Sequence, residues 1–295
     1  MIWQYLYKYC QMKVKNGRGM EMRFKDLFLK LLVFGLVMFI LFSQAYPNHR
    51  GLFNSSAFAQ EINILFLHHS TGQVIWEGGV PDLIDQHNNT NGTSYYIEAQ
   101  EFPKDYPYGW SNYPYDYWNI WVENAGEEPF MDEPTLEILT QNYQMIIWKH
   151  CFPVSDIEEN SGGSDVSSDV KSIKNYQLQY SALKGKMHEF PETLFLVWTG
   201  AAQVRGATSK ENAQRAQKFF KWVKEEWDQS GDNIFVWDFF ELETEGGIYL
   251  KDQYAASSDD SHPNYDFAER VAPLLVQRIV DVIEGRGDEE SITGE

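Results

Sequence analysis

The sequence predicts an α/β fold with helices on both faces of a parallel sheet, and three observations carry that prediction. Five short apolar runs rich in strand formers are spread along the chain. Helix candidates alternate with them. The last helix candidate has apolar residues at three- and four-residue steps, the period of a helix lying on a core. Hydrophobic residues make up 43% of the 295 residues, enough for one sizeable core, so length alone does not require a second domain.

The elements follow in order. Residues 62–67 (INILFL) read as a buried strand. It ends at His68-His69-Ser70-Thr71-Gly72, and residues 73–86 read as a helix interrupted by Gly78, Gly79 and Pro81. Residues 93–99 form the second strand, 135–141 a short helix and 144–148 (QMIIW) the third strand. A helix over 169–189, a strand over 193–198 (TLFLVW), a helix over 209–229 and a strand over 233–239 complete the alternation. The final helix is marked by Phe267, Val271, Leu274, Leu275, Ile279, Val282 and Ile283, with Asp266 and Glu269 in its first turns, where negative charge suits the helix dipole.

The ends of the chain differ from its body. Seven Lys/Arg lie within residues 1–45, before and around the apolar run 31–42 (LLVFGLVMFILF). That pattern is expected of a signal peptide, being short for a full membrane span of about 20 residues. Cleavage sites are offered by Ser43-Gln44-Ala45 and by Ala57-Phe58-Ala59; an uncleaved anchor is the alternative, and either places the body outside the cytoplasm. The expected organisation is a leader or anchor over 1–45, a linker over 46–60, a folded domain over 61–284 and a disordered acidic tail over 285–295. Residues 156–169 read as a mobile surface loop. The formal charge of −19 for the whole chain understates the body, because residues 1–45 carry 7 Lys/Arg against Glu21 and Asp26 and leave 17 basic and 41 acidic residues, or −24, for the rest, so nucleic acid and anionic membrane surfaces are disfavoured partners. A membrane contact is expected only through an uncleaved N-terminal segment. The two cysteines, Cys10 and Cys151, leave no disulfide framework in a processed chain.

In an open parallel sheet, ligands bind at the carboxyl ends of the strands. Ser70 lies just past the first strand, at a helix entry, where its hydroxyl and neighbouring N–H groups face the crevice. The alternative role is an N-cap serine that satisfies those same N–H groups. At the other end, Asp259-Asp260-Ser261-His262 precedes the last helix. His262 is a suitable base for a serine nucleophile, and Asp259, three residues before it, can reach the imidazole across one turn. Asp260 is adjacent to that position and is expected to point away.

At these residues the chain resembles the SGNH/GDSL hydrolase superfamily. HHSTG stands at the motif that follows strand one, and DDSH at the Asp-x-x-His motif before the last helix. The resemblance runs from about residue 62 to 283. It implies a flavodoxin-like three-layer α/β/α sandwich with a five-stranded parallel sheet. It also implies ester hydrolysis, commonly deacetylation of carbohydrates, with Ser70 as nucleophile, His262 as base and Asp259 as its partner. The chain departs from the pattern in two places. His68-His69-Ser70 replaces Gly-Asp-Ser, and Lys149-His150-Cys151-Phe152-Pro153 follows the third strand where the family has Gly-x-Asn-Asp. The second-motif glycine is Gly109 or Gly126. Candidate oxyanion donors are therefore the N–H of Ser70, Gly109, His150 and Ser155.

Three further features bear on chemistry. His68, His69, His150, Asp259 and His262 are zinc-ligand types. Adjacent histidines at a strand end point to opposite faces, however, so the expectation is no metal. Esterase chemistry of this kind requires no cofactor. Cys151 is a second nucleophile type at a strand end, and equally a small buried thiol. Residues 102–121 concentrate nine aromatics. Tyr108, Trp110, Tyr113 and Trp118 are candidates for stacking on a sugar, and the same rings could serve to tie down a long loop. The expected function is an exported serine esterase acting on O-acetylated carbohydrate or a related small ester. The alternatives are a catalytically degenerate carbohydrate-binding protein that uses the aromatic segment, and a glycan O-acyltransferase.

Overall fold

The computed structural model describes residues 61–109, 111–159 and 162–295. The leader and linker over 1–60, with the export reading attached to them, lie outside the described residues. Among the described residues no helix is long and apolar enough to cross a membrane.

Five strands form one all-parallel sheet in the order β2-β1-β3-β4-β5. They are β1 (Glu61–His68), β2 (Ser94–Glu101), β3 (Met145–Trp148), β4 (Leu194–Trp198) and β5 (Ile234–Trp237). The order reverses direction between β1 and β3, the switch point that opens a crevice at the carboxyl edge of a doubly wound sheet. Three strands, β3, β4 and β5, are almost wholly buried, as their continuous Ile, Val, Leu, Phe and Trp content requires. Helices α1 (Ser70–Glu77), α2 (Val80–Asn91) and α8 (Tyr265–Ile283) pack together, as do α3 (Pro114–Trp118), α5 (Ile173–Met187) and α6 (Lys210–Trp222). Two short helices, α4 (Leu136–Leu139) and α7 (Phe239–Thr244), complete the set. The result is the flavodoxin-like three-layer sandwich.

The differences from the sequence expectation have local causes. The single helix expected over 73–86 is two helices, because α1 starts earlier and stops at Gly78. A Cβ on Gly78 would stand 2.6 Å from the carbonyl oxygen of Ala268, so only glycine lets α1 end this close to α8. Gly79 then turns the chain with φ +106°, and Pro81 opens α2. The tail over 285–295 is packed rather than disordered. Its carbonyls accept from the indole of Trp237 (onto Thr293, 2.9 Å), from the N–H of Asp238 (onto Ile292, 2.8 Å) and from the guanidinium of Arg278 (onto Gly287, 2.6 Å). Acidic composition hid these backbone contacts from a reading by side chain.

The aromatic segment also resolves into packing. Phe102, Tyr117 and Trp121 are fully buried and touch one another, and α3 with the π-helical turn Asn119–Glu123 continues it into the core. Asp116, pushed up to about 6 by burial, accepts the N–H of Tyr113 at 3.0 Å and starts α3.

Candidate active site

The carboxyl ends of β1 and β3 bring two segments together. On β1, His68 and His69 take the chain out of the sheet, and Ser70 is the first residue of α1. The N-cap is therefore His69 and not Ser70, and the His69 ring caps nothing. Its Nε2 lies 2.5 Å from the carbonyl oxygen of Pro103, which holds the start of the aromatic segment against the strand end. Burial depresses His69, and depresses His68 to about 4, so both rings are neutral near neutrality. Among the described residues, the first two N–H groups of α1, from Ser70 and Thr71, have no hydrogen-bond acceptor. They are the orphan donors of a helix N-terminus, beside the serine hydroxyl.

Gly72 fixes how closely this turn sits on the sheet. A Cβ there would stand 2.5 Å from the Cβ of His68 and 3.0 Å from the Cδ of Lys149. The first turn of α1 thus rests directly on the side chains at the ends of β1 and β3. Ser70 Oγ, partly exposed, lies 3.6 Å from Cys151 Sγ. The N–H of Cys151 donates to Asn112 at 2.9 Å, and Asn112 donates its own amide to the carbonyl of Phe102 at 2.6 Å. An asparagine does approach the end of β3, but from the aromatic segment and with its donor already engaged.

The histidine arrives from the loop before α8. Its backbone is pinned on both sides: Ala256 N–H donates to the carbonyl of His262 at 2.7 Å, and Asn264 N–H to that of Tyr254 at 2.7 Å. Ser261 Oγ accepts the N–H of Val204 at 3.0 Å, which ties the loop to the segment after β4. The partner of His262 is Asp260, not Asp259. Asp260 Oδ1 lies 2.6 Å from His262 Nδ1 and accepts the N–H of His262 at 2.9 Å. Those two bonds hold the Asp260 carboxyl below the ordinary carboxylate range. Asp259 instead accepts the hydroxyl of Ser257 at 2.7 Å. The reason is a local turn: an aspartate readily binds the backbone two residues on, and that turn also delivers its carboxylate to the imidazole. Helix-like reach across three residues was the wrong geometry for this loop.

With Nδ1 on Asp260, Nε2 is the ring nitrogen left to face a reacting group. The His262 ring sits edge-on to Phe152, with centroids 5.2 Å apart. Phe152 follows Cys151, so Ser70 and His262 each contact one of two consecutive residues past the carboxyl end of β3. Among the described residues no hydrogen bond joins Ser70 to His262.

Several expected site residues are placed elsewhere. Gly109 spends its N–H on the carbonyl of Lys104 at 3.3 Å. Ser155 is buried and its hydroxyl donates to the carbonyl of Ala201. His150 is fully buried, edge-on to Tyr117 and Trp148 and beside Tyr180, with neither ring nitrogen bonded among the described residues. Of the oxyanion candidates, the N–H of Ser70 alone stands at the crevice with its donor uncommitted. Tyr113 and Trp118 are buried and offer no ring face to a ligand. Tyr108 is partly buried, with its hydroxyl 3.2 Å from Asp116. Trp110 lies outside the described residues. Among the described residues, no group of three or more His, Cys, Asp or Glu side chains is arranged to hold a metal ion.

No family model matches the chain, and no curated protein does. A solved structure of a gut microbial diltiazem-metabolizing enzyme is similar in chain path, with a TM-score of 0.42 and 11% sequence identity. The match covers 78% of this chain and 48% of that one, so this chain spans about half the length of that enzyme.

Proposed function

We propose that this chain is a serine hydrolase of carboxylic esters, with Ser70 as nucleophile and the Asp260–His262 pair as its base. One observation carries the reading. A serine on the first turn of α1 and a histidine oriented by a carboxylate meet the same carboxyl edge of the sheet, and both touch the Cys151-Phe152 segment. In the reaction, Ser70 Oγ attacks the acyl carbon while its proton passes to His262 Nε2. Charge on the carbonyl oxygen falls beside the orphan N–H groups of Ser70 and Thr71. His262 then returns the proton to the leaving alcohol, and water releases the acid from the acyl-serine by the same route in reverse.

The resemblance to the SGNH/GDSL hydrolases supports this reading through the serine position and through the Asp-x-x-His sequence before α8, from which this chain departs in using Asp260 rather than Asp259 to hold the imidazole. O-acetylated carbohydrate is the substrate class proposed first, on that resemblance and on the secretory pattern of residues 1–45. Aromatic stacking contributes less to that choice than the sequence suggested. Among the described rings of the segment, Tyr106, 86% exposed and past the carboxyl end of β2, is the most open to a sugar.

The experiment is turnover of p-nitrophenyl acetate and of acetylated oligosaccharides by the wild type, Ser70→Ala and His262→Ala. Hydrolysis lost in both variants supports the reading. Turnover that persists unchanged in Ser70→Ala sinks it, and oligosaccharide binding without turnover favours a binding protein.

A further inference from the structure

Lys149 and Glu243 are both fully buried. Among the described residues Lys149 Nζ has no hydrogen-bond partner, and Glu243 has one: its Oε2 accepts the N–H of Ala202 at 2.7 Å, while Oε1 has none. Thr71 Oγ1, one residue from the serine, is likewise buried without a partner. Buried polar groups are almost always bonded, and an isolated buried charge is among the costliest features a fold can carry. Lys149, packed against the first turn of α1, and Glu243, whose charge acts on it, therefore call for a functional account.

The backbone explains where they point. Past β3, alternate residues leave on opposite sides. Trp148 and His150 enter the aromatic layer of Tyr117 and Tyr180. Lys149 goes the other way, under α1, where its Cδ would be 3.0 Å from a Cβ on Gly72. Cys151, which touches Ser70, is next on that same side. Glu243 comes in from α7 below the end of β4, where its Oε2 would be 2.9 Å from a Cβ on Gly200.

We propose that Lys149 is a positioning residue whose fully buried side chain, packed under the first turn of α1, brings positive charge to the Ser70–Cys151 edge to balance the negative charge arising there during acyl transfer, with Glu243 the acidic group that favours that charge. This rests on the serine-hydrolase reading. Lys149 transfers no proton and touches no reacting atom. It supplements the two N–H donors of α1 where the expected asparagine after β3 is lacking. Lys149 is fully buried, and a charge in a protein interior interacts more strongly with its neighbours than one in water. The titratable groups around it are His68 at the end of β1 and His69 just past it, His150 and Cys151 from its own segment, and Glu243 from α7. Burial keeps the three histidines neutral, so Glu243 and Cys151 are the groups that favour the ammonium. Burial itself pulls Lys149 below the ordinary lysine range and raises Glu243 well above the carboxylate range. The ammonium is therefore lost at a lower pH than for a surface lysine.

The test compares Lys149→Met and Glu243→Gln with the wild type in p-nitrophenyl acetate hydrolysis across pH. Lys149→Met is expected to lower kcat by roughly 10- to 100-fold with KM little changed. It should also remove the fall in kcat on the basic side while leaving the thermal midpoint at or above that of wild type. Glu243→Gln is expected to move that basic fall to lower pH. Wild-type kcat and an unchanged pH profile in Lys149→Met would overturn the proposal. A readout independent of turnover is the rate at which iodoacetamide alkylates Cys151 in the Ser70→Ala background, followed by peptide mass spectrometry. A several-fold slower rate with Lys149→Met supports a cation beneath the site, and equal rates overturn it. If Ser70→Ala keeps full turnover, the serine reading fails, and the alkylation rates still decide whether Lys149 acts on this edge.

Discussion

Ser70 stands on a helix turn seated directly on the sheet, above side chains that are fully or nearly fully buried. His262 rides on a loop whose own side chains are partly exposed, and it is oriented by an aspartate about half exposed. The serine half of the candidate site is held by packing, where a displaced atom meets close-packed neighbours. The histidine half is held by hydrogen bonds among backbone groups and by one short contact of 2.6 Å between His262 Nδ1 and Asp260. The halves meet through Phe152 and share no hydrogen bond among the described residues. Preorganisation thus sits with the proposed nucleophile and its N–H donors, while the proposed base is positioned by a loop that can adjust when substrate arrives.

That contrast can be broken from the histidine side first. Asp260→Asn should lower kcat/KM by roughly 10- to 100-fold, because it removes the carboxylate that fixes the tautomer. The loss is smaller than for a buried triad because water partly screens an exposed pair. Asp259→Asn should stay within about twofold of wild type, its carboxylate being turned to Ser257. Steady-state kinetics on the two variants decides between the neighbours, and equal losses would remove the asymmetry claimed for the loop.

From the serine side, Gly72→Ala should destabilise the fold by about 1–3 kcal/mol, since the new methyl overlaps His68 Cβ and presses on Lys149. Denaturant unfolding measures it, and a neutral result would mean that α1 is not seated as tightly as described.

A smaller effect is expected in pH dependence. His68 falls from an unfolded 6.5 to about 4, so the unfolded chain binds its proton first on acidification. Stability from this group is intact above pH 6.5 and is lost as pH falls toward 4, by about 3 kcal/mol at the limit. Asp116, raised by burial from 3.8 to about 6, works in the opposite sense over nearly the same window: it is costly above pH 6 and relieved below. Whole-protein curves will therefore hide both. The stability difference between wild type and His68→Asn, measured from pH 7 to 4, should shift against the wild type on acidification; a constant difference would contradict the burial argument.

Most of the fold was legible because buried parallel strands are written as continuous apolar runs and α8 as an apolar stripe. The break at Gly78 escaped, since close approach to Ala268 is a tertiary fact. The tail escaped because its contacts are made by backbone carbonyls. At the site, Ser70 and His262 were legible from their places after β1 and before α8. Asp260 was not, because a turn chose between two adjacent aspartates. The aromatic segment misled for a related reason: ring content predicts contact, but only the path of α3 decides whether the contact is core or ligand. Lys149 was hidden by its type, since lysine is read as surface until the alternation past β3 is followed.

The most direct measurement is covalent. The protein is treated with a fluorophosphonate and the modified residue is located by peptide mass spectrometry. The account predicts an adduct on Ser70 that is greatly slowed in His262→Ala and absent in Ser70→Ala. An adduct on another serine, or labelling of Ser70 at equal rate without His262, would contradict it.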